Sequence, residues 1–311
     1  MKILVVGAGV IGSVYAAKLG AAGHEVILLA RGRRLSDLEA HGLVVEEAES
    51  GKRTVVSVPV VSAPGADERY DVVLVPVRSE QLSSTLPILA GMRGAPDVLF
   101  FGNTCGQQAK LTEELGGRAL FGFPAAGGVR AGPVVNYVLI RQQKTMLGEG
   151  TGASTSRLLD LQEMFSGAGF PTRISADIDG WMLGHTAFVV PIGYALYRAG
   201  TDAARLAADP VAVGLMVRAI REAFRALRAA GNTEIPVNLL ILFLCLPAAV
   251  VVRYWRRVLA SSRGELWFAA HTRAVPEEMH ALADELEAAV RRTGWSTPNV
   301  DSLLSRPVPE R

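Results

Sequence analysis

The sequence predicts an α/β domain built on a doubly wound parallel sheet, followed by an all-helical domain. In the first half, short and continuously apolar runs alternate with helical stretches, which is typical of parallel strands covered on both faces. From about Ser175 onward the pattern becomes helical. A chain of 311 residues has enough material for two cores. We therefore expect one domain at residues 1–173 and a second at residues 174–311.

Each element follows from a local pattern. The predicted core strands are residues 1–6, 25–29, 71–75, 98–101 and 119–123. Residues 43–47 and 54–61 flank Ser50-Gly51-Lys52 and predict a hairpin inserted before the third core strand. Residues 134–139 and 144–147 predict antiparallel edge strands. The predicted helices of the second half are residues 177–197, 210–230, 247–261 and 276–292.

A glycine motif follows the first strand directly. In the run Gly7-Ala8-Gly9-Val10-Ile11-Gly12, the first glycine allows a tight turn and the second lets backbone approach a pyrophosphate. The third glycine lets the helix pack closely on the strand, and the helix N-terminus faces the phosphates. This order of strand, motif and helix predicts a Rossmann-type dinucleotide site formed by Gly7, Gly9, Val10, Ile11 and Gly12.

An arginine closes the second strand. Arg31 stands where an acidic residue would select NAD, and Arg33 and Arg34 follow it. A guanidinium offers charge-assisted donors to a 2′-phosphate, whereas a carboxylate would repel it. The cofactor we expect is therefore NADPH. The alternative interpretation is a glycine-rich turn beside solvated surface arginines.

Composition limits the partners. The net charge is +2 and the basic residues are dispersed, so we expect no nucleic acid partner. Cys105 and Cys245 lie far apart without metal-ligand spacing, which predicts no metal site and a reduced, cytoplasmic protein. The N-terminus leads straight into a strand and predicts no signal peptide.

The segment 235–252 holds no charged residue. Pro236, Asn238 and Pro247 interrupt it, and its unbroken apolar run is shorter than the roughly 20 residues of a spanning helix. We expect no integral membrane insertion. The interpretations left open are a buried helix, a homodimer interface, a lid over an apolar pocket, and peripheral membrane contact.

With these motifs the chain resembles the ketopantoate reductase (2-dehydropantoate 2-reductase) family. The family reduces an α-keto acid with NADPH in a cleft between two domains, using a lysine of the helical domain as proton donor. Gly7, Gly9, Gly12 and Arg31 match its cofactor motif. The resemblance implies a second domain similar to the C-terminal domain of 6-phosphogluconate dehydrogenase, and a small-molecule substrate.

Two further family motifs are matched in part. A Lys-x-x-Gln pattern after the fourth strand is represented by Arg78 and Gln81, which the resemblance places at the cofactor. An Asn-Gly-x-Gly turn is represented by Asn103-Thr104-Cys105-Gly106. The resemblance places Asn103 beside the nicotinamide and the substrate, which implies both a catalytic and a cofactor-binding role for it.

The family's chemical motifs are altered in the helical half. After Trp181, Leu183 occupies the position of the family lysine, and Ala187 and Pro191 replace two asparagines. Of a later Glu-Ile-Asp-Tyr-x-Asn-Gly signature only Glu265 is retained. The sequence thus looks like a divergent member that lacks the catalytic lysine, and we do not expect it to act on ketopantoate.

Three residues are candidates for the missing chemistry. His185 lies on the helix of Trp181, and a histidine with a pKa near 6.5 suits proton transfer. It points roughly 200° away from Leu183 on an ideal helix, so it replaces the lysine only if that helix is shifted or irregular. Glu265 could hold a ribose or substrate hydroxyl, and His271 could relay a proton. The alternative for all three is a structural hydrogen bond.

These observations predict an NADPH-dependent reductase of a carbonyl or imine compound larger and less polar than ketopantoate. The alternative is a cofactor-binding protein without redox activity, either a pseudoenzyme or a cyclase or isomerase that reuses the cleft.

Overall fold

The computed structural model describes residues 1–65 and 67–305 of the chain. The chain divides into two compact units, Met1–Ile178 and Asp179–Arg311. The division lies after Arg173 because the strand Thr172–Ile174 still pairs with the sheet of the first unit. An α/β unit with a mostly parallel sheet precedes a helical unit, which confirms the expected fold class.

The described strands fall into two sheets. They are β1 (Lys2–Val6), β2 (Glu25–Leu29), β3 (Leu43–Glu47), β4 (Arg53–Val56), β5 (Val60–Val61), β6 (Val72–Val75), β7 (Asp97–Phe101), β8 (Ala119–Phe123), β9 (Ala126–Ala131), β10 (Val134–Leu139), β11 (Thr145–Glu149) and β12 (Thr172–Ile174). The larger sheet has the order β12-β11-β8-β7-β6-β1-β2-β5, and the smaller has the order β4-β3-β10-β9. In the larger sheet only the β8–β11 pair is antiparallel.

The helices of the first unit are α1 (Val10–Ala21), α2 (Gly32–His41), α3 (Ser79–Ala90), α4 (Gln108–Glu114) and α5 (Ser156–Gly167). The second unit contains α6 (Ile178–Arg198), α7 (Ala203–Ala208), α8 (Pro210–Ala229), α9 (Val237–Leu240), α10 (Ala248–Leu259), α11 (Ala270–Ala274), α12 (Pro276–Arg292) and α13 (Pro298–Leu304). Two π-helical segments, Ile241–Cys245 and Gly264–Ala269, lie among them.

Helix α1, which follows the glycine motif, is fixed to the sheet by a buried tyrosine. The ring of Tyr15 stacks on Phe170 with 3.9 Å between the centroids. Its hydroxyl lies 2.7 Å from the Thr145 hydroxyl of β11 and accepts a bond from the Ala125 amide. Burial raises the pKa of Tyr15, so the phenol stays protonated. The start of α1 therefore has a fixed position above the strands.

Three details of the strand prediction were wrong. The predicted strand 54–61 is divided into β4 and β5, and β5 leaves the hairpin to pair with β2. Residues 134–139 form β10, which is not an edge strand: it lies inside the smaller sheet, antiparallel to β9 but parallel to β3. The predicted edge strand 144–147 corresponds to β11, which lies inside the larger sheet, antiparallel to β8 but parallel to β12. Pro59 supplies no amide donor where the strand is interrupted, and only tertiary pairing could reveal the second sheet.

The apolar segment 235–252 folds as short pieces. Pro236 precedes α9, the π-helical segment follows, and Pro247 precedes α10. In the described ranges, no helix is long and apolar enough to cross a membrane.

Candidate functional site

Four predicted cofactor loops lie at one edge of the larger sheet. Gly7 follows β1, Arg31 lies just beyond β2, Arg78 just beyond β6, and Asn103 just beyond β7. These four strands are mutually parallel, so their carboxyl ends share that edge. Strand β1 lies between β2 and β6, which makes this edge the point where the strand order reverses. Ligands of open α/β sheets bind at such switch points.

Two of the three motif glycines, Gly7 and Gly12, leave no space for a side chain. Gly7 has a φ of +115°, and a Cβ there would lie 3.0 Å from Val77 Cγ1 in the loop after β6. A Cβ on Gly12 would lie 1.9 Å from the Gly7 carbonyl oxygen, closer than any atoms can approach. At Gly9 no described atom lies within 4 Å of the Cβ position. The loop is thus tightly packed at Gly7 and Gly12 and leaves open space beside Gly9.

Helix α1 begins directly after this opening. Val10 and Ile11 form its first turn and pack partly on the core of the first unit. In the described chain no side chain caps its N-terminus, and its first turn holds no acidic residue. Amide groups at such an end bind anions, and the helix dipole adds to the attraction. The loop and the helix end therefore fit a pyrophosphate.

The three arginines after β2 have different roles. Arg31 and Arg33 are exposed, and within the described residues neither makes a hydrogen bond or ion pair. Arg34 is half-buried and donates to the Ala8 carbonyl at 3.0 Å, the Ser13 hydroxyl at 3.2 Å and the Pro133 carbonyl at 3.1 Å. Burial, followed by repulsion from Arg130, lowers the pKa of Arg34. Arg34 holds the glycine loop, whereas the side chains of Arg31 and Arg33 are exposed.

Sequence reasoning grouped Arg34 with the phosphate-binding arginines. Its three acceptors lie in the glycine loop, in α1 and in the turn between β9 and β10. These acceptors lie 26, 21 and 99 residues from Arg34 along the chain, and nothing in the sequence signals the three contacts. The loop-holding role therefore became visible only in the folded unit.

Arg78 and Gln81 form the start of α3. Arg78 precedes the helix, and its backbone amide donates to Gln81 Oε1 at 3.3 Å. Gln81 thereby caps the helix, while Arg78 is exposed near the end of β6. Asn103 is half-buried in the turn after β7, and Cys105 in the same turn is buried. This geometry places the two partly matched motifs at the predicted edge of the sheet.

His185 lies on α6 against an aromatic partner. Its ring stacks on Trp181, one turn earlier, with the centroids 5.4 Å apart and an interplanar angle of 9°. Burial lowers the pKa of His185 to about 3, with a smaller contribution from His271. This value lies well below the ordinary pKa near 6.5, because burial disfavours the charged imidazolium. At neutral pH the side chain is an uncharged imidazole.

Leu183, which the resemblance would place at the family's lysine position, is apolar. Helix α6 runs without interruption from Ile178 to Arg198, so it lacks the irregularity that would turn His185 toward the direction of Leu183. Leu183 packs against the core of the second unit. Thr186 is buried, and in the described part of the chain its hydroxyl has no hydrogen-bond partner.

Glu265 is already engaged in an ion pair. Both of its carboxylate oxygens accept bonds from Arg273, whose guanidinium also donates to the Thr201 carbonyl at 2.8 Å. Glu265 lies in the π-helical segment Gly264–Ala269, and His271 is exposed on α11. His271 is close enough to His185 to influence its protonation. Among the described residues no group of His, Cys, Asp and Glu could hold a metal ion.

The two units thus define the class of the protein. The first is a Rossmann-like α/β unit with a glycine loop at its switch point, and the second is a helical unit. Residues 3–152 match the sequence model of the family described as ketopantoate reductase PanE/ApbA. That range lies within the first unit and includes the glycine loop, Arg31, Arg78 and Asn103.

Individual relatives of the chain are named 2-dehydropantoate 2-reductase. The 2-dehydropantoate 2-reductase of Pyrococcus horikoshii is 30% identical over 197 residues, which are 62% of this chain and 63% of that protein. The match thus spans less than two thirds of that relative. The 2-dehydropantoate 2-reductase of Aquifex aeolicus is 27% identical over 239 residues, covering 74% of this chain and 73% of that protein.

Solved structures share the fold over nearly the whole chain. The 2-dehydropantoate 2-reductase of Geobacter metallireducens superimposes with a TM-score of 0.79 at 21% identity, covering 98% of both chains. A ternary structure of D-mandelate dehydrogenase with NADH and anilino(oxo)acetate superimposes with a TM-score of 0.73 at 16% identity, covering 97% of this chain and 96% of that one. The chain is therefore similar to ketopantoate reductases in sequence and to both of these solved structures in fold.

Proposed function

We propose that this protein is a divergent member of the ketopantoate reductase family, an NADPH-dependent reductase that acts on a carbonyl or imine compound other than ketopantoate. The observation that carries the proposal is the glycine loop open at Gly9, with the exposed Arg31 at the end of the neighbouring strand. The match of residues 3–152 to the family supports it.

The residues of the first unit would divide the work of holding the cofactor. Gly7, Gly9 and Gly12, with the backbone of Val10 and Ile11, would receive the pyrophosphate at the start of α1. Arg31 would bind the 2′-phosphate, because its guanidinium has no other partner among the described residues. Arg78, Gln81 and Asn103 would extend the site along the sheet edge. When bound, NADPH supplies a hydride.

The substrate should differ from ketopantoate. Leu183, Ala187 and Pro191 remove the charge and amide groups with which the family would hold and protonate that keto acid. D-mandelate dehydrogenase, which shares this fold, was crystallised with anilino(oxo)acetate, an α-keto acid derivative bearing an aromatic ring. A substrate with an apolar group beside its carbonyl or imine is therefore the class we propose.

His185 would act as a neutral donor. With a pKa of about 3 its imidazole carries one N–H at neutral pH, which can donate to a heteroatom that gains negative charge. The proton that completes the reaction would come from His271 or from solvent. Glu265, oriented by Arg273, keeps lone pairs that can accept a bond from a ribose or substrate hydroxyl.

Nucleotide titration tests the proposed preference for NADPH. Arg31→Ala should weaken NADPH by roughly 2–3 kcal/mol, as expected for a lost charge-assisted bond, and leave NADH nearly unchanged. Arg33→Ala is the matched control because it removes an exposed arginine two positions away. Fluorescence titration with both nucleotides measures the difference. Equal loss of both nucleotides in Arg31→Ala would show that Arg31 does not read the phosphate.

Turnover assays test the proposed substrate class and the role of His185. We expect negligible NADPH oxidation with ketopantoate and measurable oxidation with one of a panel of aryl and alkyl α-keto acids and imines. Once a substrate is found, His185→Ala should lower kcat by about 10²-fold while NADPH affinity is unchanged. An ordinary kcat with ketopantoate would contradict the proposed divergence.

Leu183 favours a second candidate, a cofactor-binding protein without redox activity. An apolar side chain at the position of the family's acid cannot protonate a product. NADPH binding of normal affinity without oxidation of any compound in the panel would support this candidate over the reductase.

A further inference from the structure

An exposed apolar surface occupies one segment of the helical unit. Of the ten large apolar side chains that are strongly exposed in the described structure, five lie between residues 237 and 254: Val237, Ile241, Leu246, Val250 and Tyr254. Val250 is 50% exposed and Tyr254 is 48% exposed. Apolar side chains concentrated in this way are normally buried, and where they stay exposed they commonly mark an interaction site.

Helix α10 presents two different faces. Val251, Trp255 and Leu259 are buried in the core of the second unit. Val250, Arg253, Tyr254 and Arg257 are exposed, and at 100° per residue they fall within an arc of about 100°. The outward face, which we call the basic apolar face, therefore combines valine and tyrosine with two arginines.

Arginines without carboxylate partners extend this face. Arg253, Arg256 and Arg257 line a shallow cavity of about 450 Å³, together with Ala204, Ala207, Ala208 and Ala260. Across residues 1–65 and 67–305, no carboxylate forms an ion pair with any of the three. Arg256 is oriented by a 2.8 Å bond from its Nε to the Ala207 carbonyl. The sequence from 235 to 264 contains four arginines and no acidic residue.

The positive charge of the basic apolar face favours one kind of binding partner. A second copy packed on this face about a two-fold axis would oppose identical arginine clusters, which repel each other. An anionic lipid surface offers what both parts of the face require, since phosphates pair with arginines and the interfacial region accepts valine and tyrosine. Because none of the described helices can span a bilayer, such contact would be peripheral.

We propose that the basic apolar face of α10 binds anionic phospholipid membranes. Arg253, Arg256 and Arg257 would bind lipid phosphates at the shallow cavity, and Val250 and Tyr254 would enter the headgroup region. This inference is independent of the reductase activity, because it involves none of the cofactor residues.

Vesicle co-sedimentation of the full chain tests the proposal. Each arginine near an anionic surface strengthens binding about fivefold, so three should favour phosphatidylcholine–phosphatidylglycerol vesicles over pure phosphatidylcholine by about 100-fold. Raising the salt to molar concentration should abolish the preference, since the screening length falls to about 3 Å. Equal binding to both kinds of vesicle, or to neither, would overturn the proposal.

Two pairs of variants separate charge from apolar contact. The double variant Arg253→Gln/Arg257→Gln should lower binding to anionic vesicles about 25-fold, and its control is Arg228→Gln, an exposed arginine on α8. Val250→Glu should lower it at least as much, and its control is Val211→Glu, at a 75% exposed position on α8. Circular dichroism melting checks that every variant is folded. Equal losses in the control variants would overturn the assignment.

Two other occupants are tested in parallel. Light scattering would reveal a second copy as a concentration-dependent dimer that Val250→Glu dissociates. Calorimetry with glycerol phosphate would reveal a site for free phosphate. A dimer formed through this face, or tight binding of glycerol phosphate without vesicle binding, would overturn the membrane proposal.

Discussion

Replacement of Arg34 by methionine offers a sharp test of how the glycine loop is held. Methionine keeps the apolar stem but removes the bonds to the Ala8 carbonyl, the Ser13 hydroxyl and the Pro133 carbonyl. A hydrogen bond from a charged donor contributes about 1.5–3 kcal/mol, but Arg34 is half-buried and water can replace part of each bond. We therefore expect the free energy of unfolding to fall by about 2–4 kcal/mol.

The same change should weaken the cofactor. Ala8 lies between Gly7 and Gly9, so a loop released from Arg34 must be ordered again when the pyrophosphate binds. Ordering one residue costs about 1–2 kcal/mol, which corresponds to a roughly tenfold higher Kd. NADPH and NADH share the pyrophosphate and should weaken equally, in contrast to Arg31→Ala, which should affect NADPH alone.

The measurements are urea unfolding and fluorescence titration with both nucleotides. Arg33→Met is the matched control, since Arg33 is exposed and makes no hydrogen bond to any described residue. If Arg34→Met unfolds and binds nucleotides like Arg33→Met, the three bonds do not hold the loop and the reasoning is refuted.

Three further predictions follow from buried groups and contacts of the structure. Gly12→Ala should abolish dinucleotide binding in a calorimetric titration, because its Cβ would lie 1.9 Å from the Gly7 carbonyl oxygen; wild-type affinity would contradict the packing. Arg157→Met should lower the free energy of unfolding in urea by about 3 kcal/mol, because it removes the guanidinium that donates to the 5% exposed carboxylate of Glu149 from Nε at 2.8 Å and Nη2 at 2.5 Å. The Thr155 hydroxyl then remains as a donor to that buried charge. When the pH falls from 7 to 5, the free energy of unfolding should decrease by about 2 kcal/mol more in the wild type than in His185→Gln. The sign follows because the unfolded imidazole binds its proton near pH 6.5 and the folded one only near pH 3, so protonation favours unfolding as the pH falls; equal pH dependence would show that His185 is not buried.

Much of the fold could be predicted from the sequence because its signals are local. The runs that became β1, β2, β6, β7 and β8 are apolar at nearly every position, as strands buried on both faces must be. The glycine loop was predictable for the same reason, since Gly7 and Gly12 satisfy steric needs of their own turn. Proline located the start of α8 and α12.

The missing details depend on tertiary contacts. Strand β5 has two residues, and only its pairing with β2 defines it. The ion pair between Glu265 and Arg273 joins residues on two consecutive helical segments whose angle is not encoded locally. The lowered pKa of His185 arises from what packs around it, and the spacing of Trp181 and His185 could indicate their stacking but not their desolvation.

The geometry of α6 bears directly on the proposed chemistry. Because the helix is continuous, His185 points roughly 200° away from Leu183, so a substrate held in the orientation that suits the family lysine would not meet the imidazole. His185 can serve a substrate only if that substrate approaches α6 from another side. The proposed replacement of the family lysine by Leu183 and the neutral state of His185 support one proposal. The substrate differs from ketopantoate and binds in another orientation, and a hydrogen bond from the uncharged imidazole stabilises its developing charge. On this account the protonation of His185 contributes no change in kcat between pH 5 and pH 8, and a pH dependence of kcat in that range that His185→Gln removes would contradict it.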